Sequence, residues 1–149
     1  MIMKFILNTF KFPTVYVKIT NDKDQDNKSY HNLINKWCKF YKKKRHFHFI
    51  FDFTNLDHCN INLIPTFVKT QMEFKKQETQ YLDYSIVVLN NKLLMNILTK
   101  LLHMITPISI IYISNNLENS KTLLNYLNNP FISNKFIDTF LLIHNITKI

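Results

Sequence analysis

The chain has 149 residues, 46% of them hydrophobic, and 19 basic residues against 10 acidic ones set a formal net charge of +9. That length matches one domain, able to bury roughly 68–70% of its unfolded surface without disulfides or metal. The chain contains no glycine. This excludes glycine-rich dinucleotide loops, phosphate loops, EF-hand loops and glycine-flanked serine elbows, each of which needs a backbone that can approach a phosphate closely or take φ > 0.

Alanine is also missing, whereas Asn, Lys, Ile, Leu and Phe are abundant and Arg45 is the sole arginine. AT-rich codons favour this set, so codon bias accounts for much of the charge that would otherwise point to nucleic acid or an anionic membrane. Two cysteines, Cys38 and Cys59, fit a reducing compartment better than a disulfide-built scaffold. The start, Met1-Ile2-Met3-Lys4-Phe5, lacks the apolar run of a signal peptide. No stretch reaches the ~18 apolar residues of a membrane span. A soluble, cytoplasmic protein is expected, with no cofactor.

Residues 5–9 are read as a strand partnering the next one. In residues 12–20, Val15, Val17 and Ile19 alternate with Tyr16, Lys18 and Thr20, the period of a half-buried strand. Pro13 marks its beginning or an edge. The polar residues 21–28 read as a loop. From Ser29, a candidate N-cap, Leu33, Ile34, Trp37, Cys38 and Tyr41 form one helical face. Lys42, Lys43, Lys44 and Arg45 close that helix, where cations suit its dipole.

Residues 46–53 place Phe47, Phe49, Phe51 and Phe53 on one face and His46, His48, Ile50 and Asp52 on the other, an aromatic-rich strand. Asn60 or Asn62 caps a helix striped by Ile64, Phe67, Val68 and Met72, with Pro65 tolerated in its first turn. Residues 85–89 and 108–113 are continuous apolar runs, expected as strands covered on both faces. Between them, Leu93, Leu94, Ile97, Leu98, Leu101, Leu102 and Ile105 repeat with heptad-like regularity after Asn90 or Asn91. Asn115 or Asn116 caps a helix through Leu117, Leu124 and Leu127, and Pro130 ends it. In the tail at 131–149, Phe136, Ile137, Phe140, Leu141 and His144 fall at helical spacing. The expected architecture is a single α/β domain over 1–149, with one mainly parallel sheet flanked by helices in the order β(β)αβαβαβα plus a C-terminal helix.

The run Phe49-Ile50-Phe51-Asp52-Phe53-Thr54-Asn55-Leu56 is similar to the hydrophobic strand ending in Asp-x-Ser/Thr of the STAS domain. Ser85-Ile86-Val87-Val88-Leu89-Asn90 and Pro107-Ile108-Ser109-Ile110-Ile111-Tyr112 occupy the places of that family's next two strands. The resemblance covers residues 10–128, and the layout also looks like small proteins of giant DNA viruses and AT-rich protists. It implies a non-enzymatic interaction or regulatory module with a protein partner. Where regulatory members carry Asp-Ser-Ser-Gly with a phosphorylated serine, this chain reads Cys59-Asn60-Ile61-Asn62, so the phospho-switch is not implied. The CRAL-TRIO lipid-carrier fold shares a related alternation and is a minor alternative.

Asp52, Thr54, Asn55 and Asn90 are placed by the strand pattern at the C-terminal edge of the sheet, where open α/β sheets bind ligands. The blander account is helix capping and loop hydrogen bonds, which Asp, Thr and Asn supply routinely. His46 and His48 share a strand face at a spacing zinc enzymes use, but no third ligand is set by spacing, although Asp52 or His58 are at hand. Cys59 beside His58 resembles a nucleophile with its base, yet neighbours on an extended chain point apart. Cys38 reads as core. The cluster at 42–45 near Trp37 and Tyr41 is the candidate nucleic-acid surface. The apolar tail either packs on its own sheet or forms a homodimer surface.

Overall fold

The computed structural model of the chain describes residues 2–22, 28–56 and 63–149. Asp57, His58, Cys59, Asn60 and Asn62 lie outside the described residues, as do the side chains of Ile64 and Phe67. In chain order the elements are β1 (Ile2–Asn8), β2 (Thr14–Asp22), α1 (Lys28–Lys42), β3 (Phe47–Asn55), α2 (Leu63–Lys75) and β4 (Leu82–Val88). Then come α3 (Lys92–Ile105), β5 (Ile110–Ser114), α4 (Leu117–Leu127), α5 (Asn134–Ile143) and β6 (Thr147–Lys148).

The six strands make one sheet in sequence order, β1-β2-β3-β4-β5-β6. β2, β3, β4 and β5 pair in parallel, while β1 and β6 run antiparallel at the two edges. The sheet is therefore mixed, which corrects the expectation of a mainly parallel one. A short turn joins β1 to β2 and forces the antiparallel pairing. β6 escaped the sequence reading because two residues carry no period. Ile111 and Ile149 nevertheless exchange both backbone hydrogen bonds at 2.9 Å, so the tail returns to the sheet.

Each parallel step needs a crossover, and successive right-handed crossovers in one direction put their helices on one face. α1, α2 and α3 accordingly share the first core. Val15, Val17 and Ile19 meet Phe47, Phe49, Phe51 and Phe53 there, beneath Trp37, Phe74, Leu98 and Leu102. Trp37 stacks on Phe74 at 4.1 Å between centroids and meets Phe49 edge-on at 4.9 Å. Ring pairs of this kind contribute about 0.5–1.5 kcal/mol beyond area burial. α4 and α5 cover the other face, where Leu123, Ile137 and Leu141 pack on Ile50, Ile86, Val88 and Tyr112.

The central strand β3 is buried on both faces through Phe53. One face is all phenylalanine. The other carries two polar side chains, His48 and Asp52, each only 2% exposed. α4 lies over β4 and β5. Towards β1 the same face thins out, since Lys4, Ile6 and Asn8 stand opposite Thr20, Lys18 and Tyr16 and are exposed.

Candidate functional site

The residues expected at the C-terminal edge do come together, apart from one. Asp52 Oδ1 accepts from the backbone N–H of Thr54 at 2.9 Å and from its hydroxyl at 2.6 Å. Asp52 Oδ2 accepts from the Tyr16 hydroxyl. Asn90 reaches the same turn by donating to the Thr54 carbonyl at 3.4 Å. Asn55, the last residue of β3, is exposed. The β2–β3 register shifts between Lys18 and Thr20, beside this turn. The Asp-x-Thr pattern therefore closes β3 with a side-chain turn and ties it to β2 at an irregularity.

Burial raises the Asp52 pKa, but the hydrogen bonds from Thr54 and Tyr16, with the nearby Lys18 ammonium, outweigh it and leave the carboxyl below its ordinary value. Tyr16 is raised by burial and by the carboxylate it serves. The pair stays as phenol and carboxylate, with both carboxylate oxygens engaged by the chain itself.

The two histidines part company. His46 is exposed and pairs with Asp83 at 2.7 Å. His48 is buried, with Nε2 at 2.6 Å from the Thr14 hydroxyl and its ring stacked on Tyr84 at 4.6 Å. The Tyr84 hydroxyl donates to Asn128 Oδ1 at 2.7 Å, carrying the polar chain across to the end of α4. Burial lowers the His48 pKa, with Asp83 opposing weakly, and so favours the neutral ring. Among the described residues no three His, Cys, Asp or Glu side chains are grouped to hold a metal ion. Sequence reasoning missed Tyr16, Thr14, Tyr84 and Asn128. Their only signal was their place on the polar side of alternating strands or at a helix end, since register is not visible in a sequence.

The basic cluster is first of all a helix end. Lys44 takes φ 50°, its N–H bonds to the Tyr41 carbonyl at 3.0 Å, and the Arg45 N–H bonds to the Phe40 carbonyl at 3.1 Å. This is the Schellman pattern, with lysine at the position where glycine is usual. Arg45 lies over the Phe12 ring at 3.9 Å. Lys42 and Lys44 remain exposed along a cleft of about 400 Å³, which Tyr41, Phe74 and Tyr81 help to line and where Glu78 is the one acid among the described residues. Cys38 also lines this cleft and is half-buried, so it is not sealed in the core.

Large apolar side chains stand exposed in pairs on α3, with Leu93 and Met104 at 64% and 79%, and on α5, with Leu142 and Ile143 at 79% and 67%, while Met72 of the expected α2 stripe is also exposed. The tail does pack on its own sheet, through Ile137 and Leu141, while α5 leaves Leu142 and Ile143 facing outward. Among the described residues no helix is long and apolar enough to cross a membrane.

Set against protein-family models, curated proteins and solved structures, the chain matches none of them.

Proposed function

We propose that the chain is a non-enzymatic protein-interaction module of STAS-like fold acting in the cytoplasm, its partner bound through apolar helix surfaces. The observation that carries this reading is the exposure of Leu93 and Met104 on α3 and of Leu142 and Ile143 on α5. Exposed apolar side chains that adjoin in a patch on an outer helix surface mark a contact surface, as single scattered ones do not. Support comes also from the polar interior. Asp52 and His48, the groups best suited to chemistry, are each occupied by partners within the chain.

Affinity capture from the native cell, with and without nuclease, tests the reading. A defined protein that survives nuclease is the expected result. Recovery of nothing, or only of nucleic-acid machinery lost with nuclease, overturns it. If α5 instead joins two copies of the chain, light scattering gives a dimer mass that Leu142→Glu reduces to a monomer.

One observation favours a second reading, nucleic-acid association. Lys42 and Lys44 overhang a cleft with aromatic walls, a combination that suits phosphate and stacked base. Titration against single-stranded oligonucleotides at two salt concentrations decides it, because phosphate contacts weaken steeply with salt. Absence of binding at low salt removes this alternative.

A further inference from the structure

The outer side of α3 is less polar than that of α4. Leu94, Leu98 and Leu102 are buried against the sheet. Leu93, Ile97, Leu101 and Met104 follow at steps of four, four and three, and so form a second stripe along one flank. It spans about 17 Å at 1.5 Å per residue. Ile97 and Leu101 are half-buried, while Leu93 and Met104 at its ends are exposed. Codon bias does not explain this, since the outer side of α4 carries Glu118, Lys121 and Asn125 in the same chain. A helix that is apolar on two sides needs cover on both.

The formal charges on α3 itself have one sign. The helix holds Lys92 and Lys100 and no acid. At its C-terminus Lys75 from α2 donates to the Ile105 and Thr106 carbonyls at 3.2 and 3.0 Å. Two copies of α3 crossing antiparallel about the middle of the stripe would bring their Lys100 side chains towards each other, in a chain already at +9. Self-pairing therefore opposes like charges, whereas an acid-flanked partner meets complementary ones.

We infer that the Leu93, Ile97, Leu101 and Met104 stripe is the docking surface for an amphipathic helix of another protein, with its apolar face on α3 and acidic residues on its flanks. This deepens the interaction-module reading and rests on it.

The test uses the full chain and two synthetic helical peptides with the same leucine stripe, one flanked by Glu and one by Lys, followed by fluorescence anisotropy. The Glu-flanked peptide is expected to bind at least tenfold more tightly. Leu93→Ser with Met104→Ser should weaken it at least tenfold, and Lys100→Glu should shift preference towards the Lys-flanked peptide. Both sets of substitutions are at or beside exposed positions, and circular dichroism checks that the fold is kept. Equal binding of both peptides, binding unaffected by the paired serine substitutions, or no binding overturns the inference. So does a wild-type dimer that Leu93→Ser dissociates, which would make a second copy the occupant. Failure here with a protein still captured from cells leaves the broader reading standing. Failure of capture removes the reading itself.

Discussion

Asp52 shows how a buried charge in an apolar strand is made tolerable. Its carboxylate accepts three hydrogen bonds from within the chain, two from Thr54 and one from Tyr16. Hydrogen bonds to a charged group contribute about 1.5–3 kcal/mol each, and a donor left buried without its acceptor costs a comparable amount. Asp52→Ala is therefore expected to lower unfolding stability by about 3 kcal/mol or more, and Tyr16→Phe by about 1–2 kcal/mol. The combined variant should lose less than the sum, because both changes remove the same bond. Urea unfolding measures all three; a negligible loss for Asp52→Ala contradicts the structural role. His48 gives the matching pH dependence. Its folded pKa lies below the ordinary 6.5 because burial disfavours the charged ring, so the unfolded state binds the proton first. Stability is full above pH 6.5 and falls as pH drops below it, with a slope of at most ~1.4 kcal/mol per pH unit. His48→Gln should flatten that part of the profile. The carboxylate has the same sign but acts lower, its contribution being lost only as pH falls below 3.8.

At the scale of elements, the absence of glycine has a local cost that can be measured. α1 and α5 both end in the Schellman pattern, with Lys44 at φ 50° and Asn145 at φ 51°. A residue with a Cβ in the left-handed region loses about 1 kcal/mol relative to glycine, and asparagine loses less because its side chain suits that region. Lys44→Gly is expected to raise stability by about 0.5–1 kcal/mol, or a few degrees in Tm, and Asn145→Gly by less. Calorimetry of the two variants checks the order; destabilisation by Lys44→Gly would mean that the lysine side chain itself holds the turn. Most elements were legible because their signals are local. Alternation marked β2 and β3, and asparagine caps marked α3 and α4, where Asn91 and Asn116 accept from Leu94 and Asn119. β6 was not legible, since its pairing with β5 depends on a distant strand. The same holds for the candidate site. The meeting of Asp52, Thr54 and Asn90 followed from strand ends, whereas Tyr16 entered through a register that only the folded sheet sets.

For the whole molecule, strand order and face coverage decide where function can reside. Four parallel strands wound in one direction give a first face covered by three helices and a second face covered by α4 and α5. On the second face Asp52 and His48 lie inside, each bonded within the chain, while the outer sides of α3 and α5 carry pairs of exposed apolar residues. Binding belongs, on the proposed function, to those outer surfaces, and the polar interior serves the fold. Quantitative capture of the native partner by wild type, by Leu93→Ser with Met104→Ser, by Leu142→Glu and by Tyr16→Phe, all at matched folded concentration, separates the two roles. The expected result is full capture by Tyr16→Phe and at least a tenfold loss with one of the surface variants. Full capture by both surface variants, with loss on Tyr16→Phe, would contradict the claim and make the Asp52 turn the binding site.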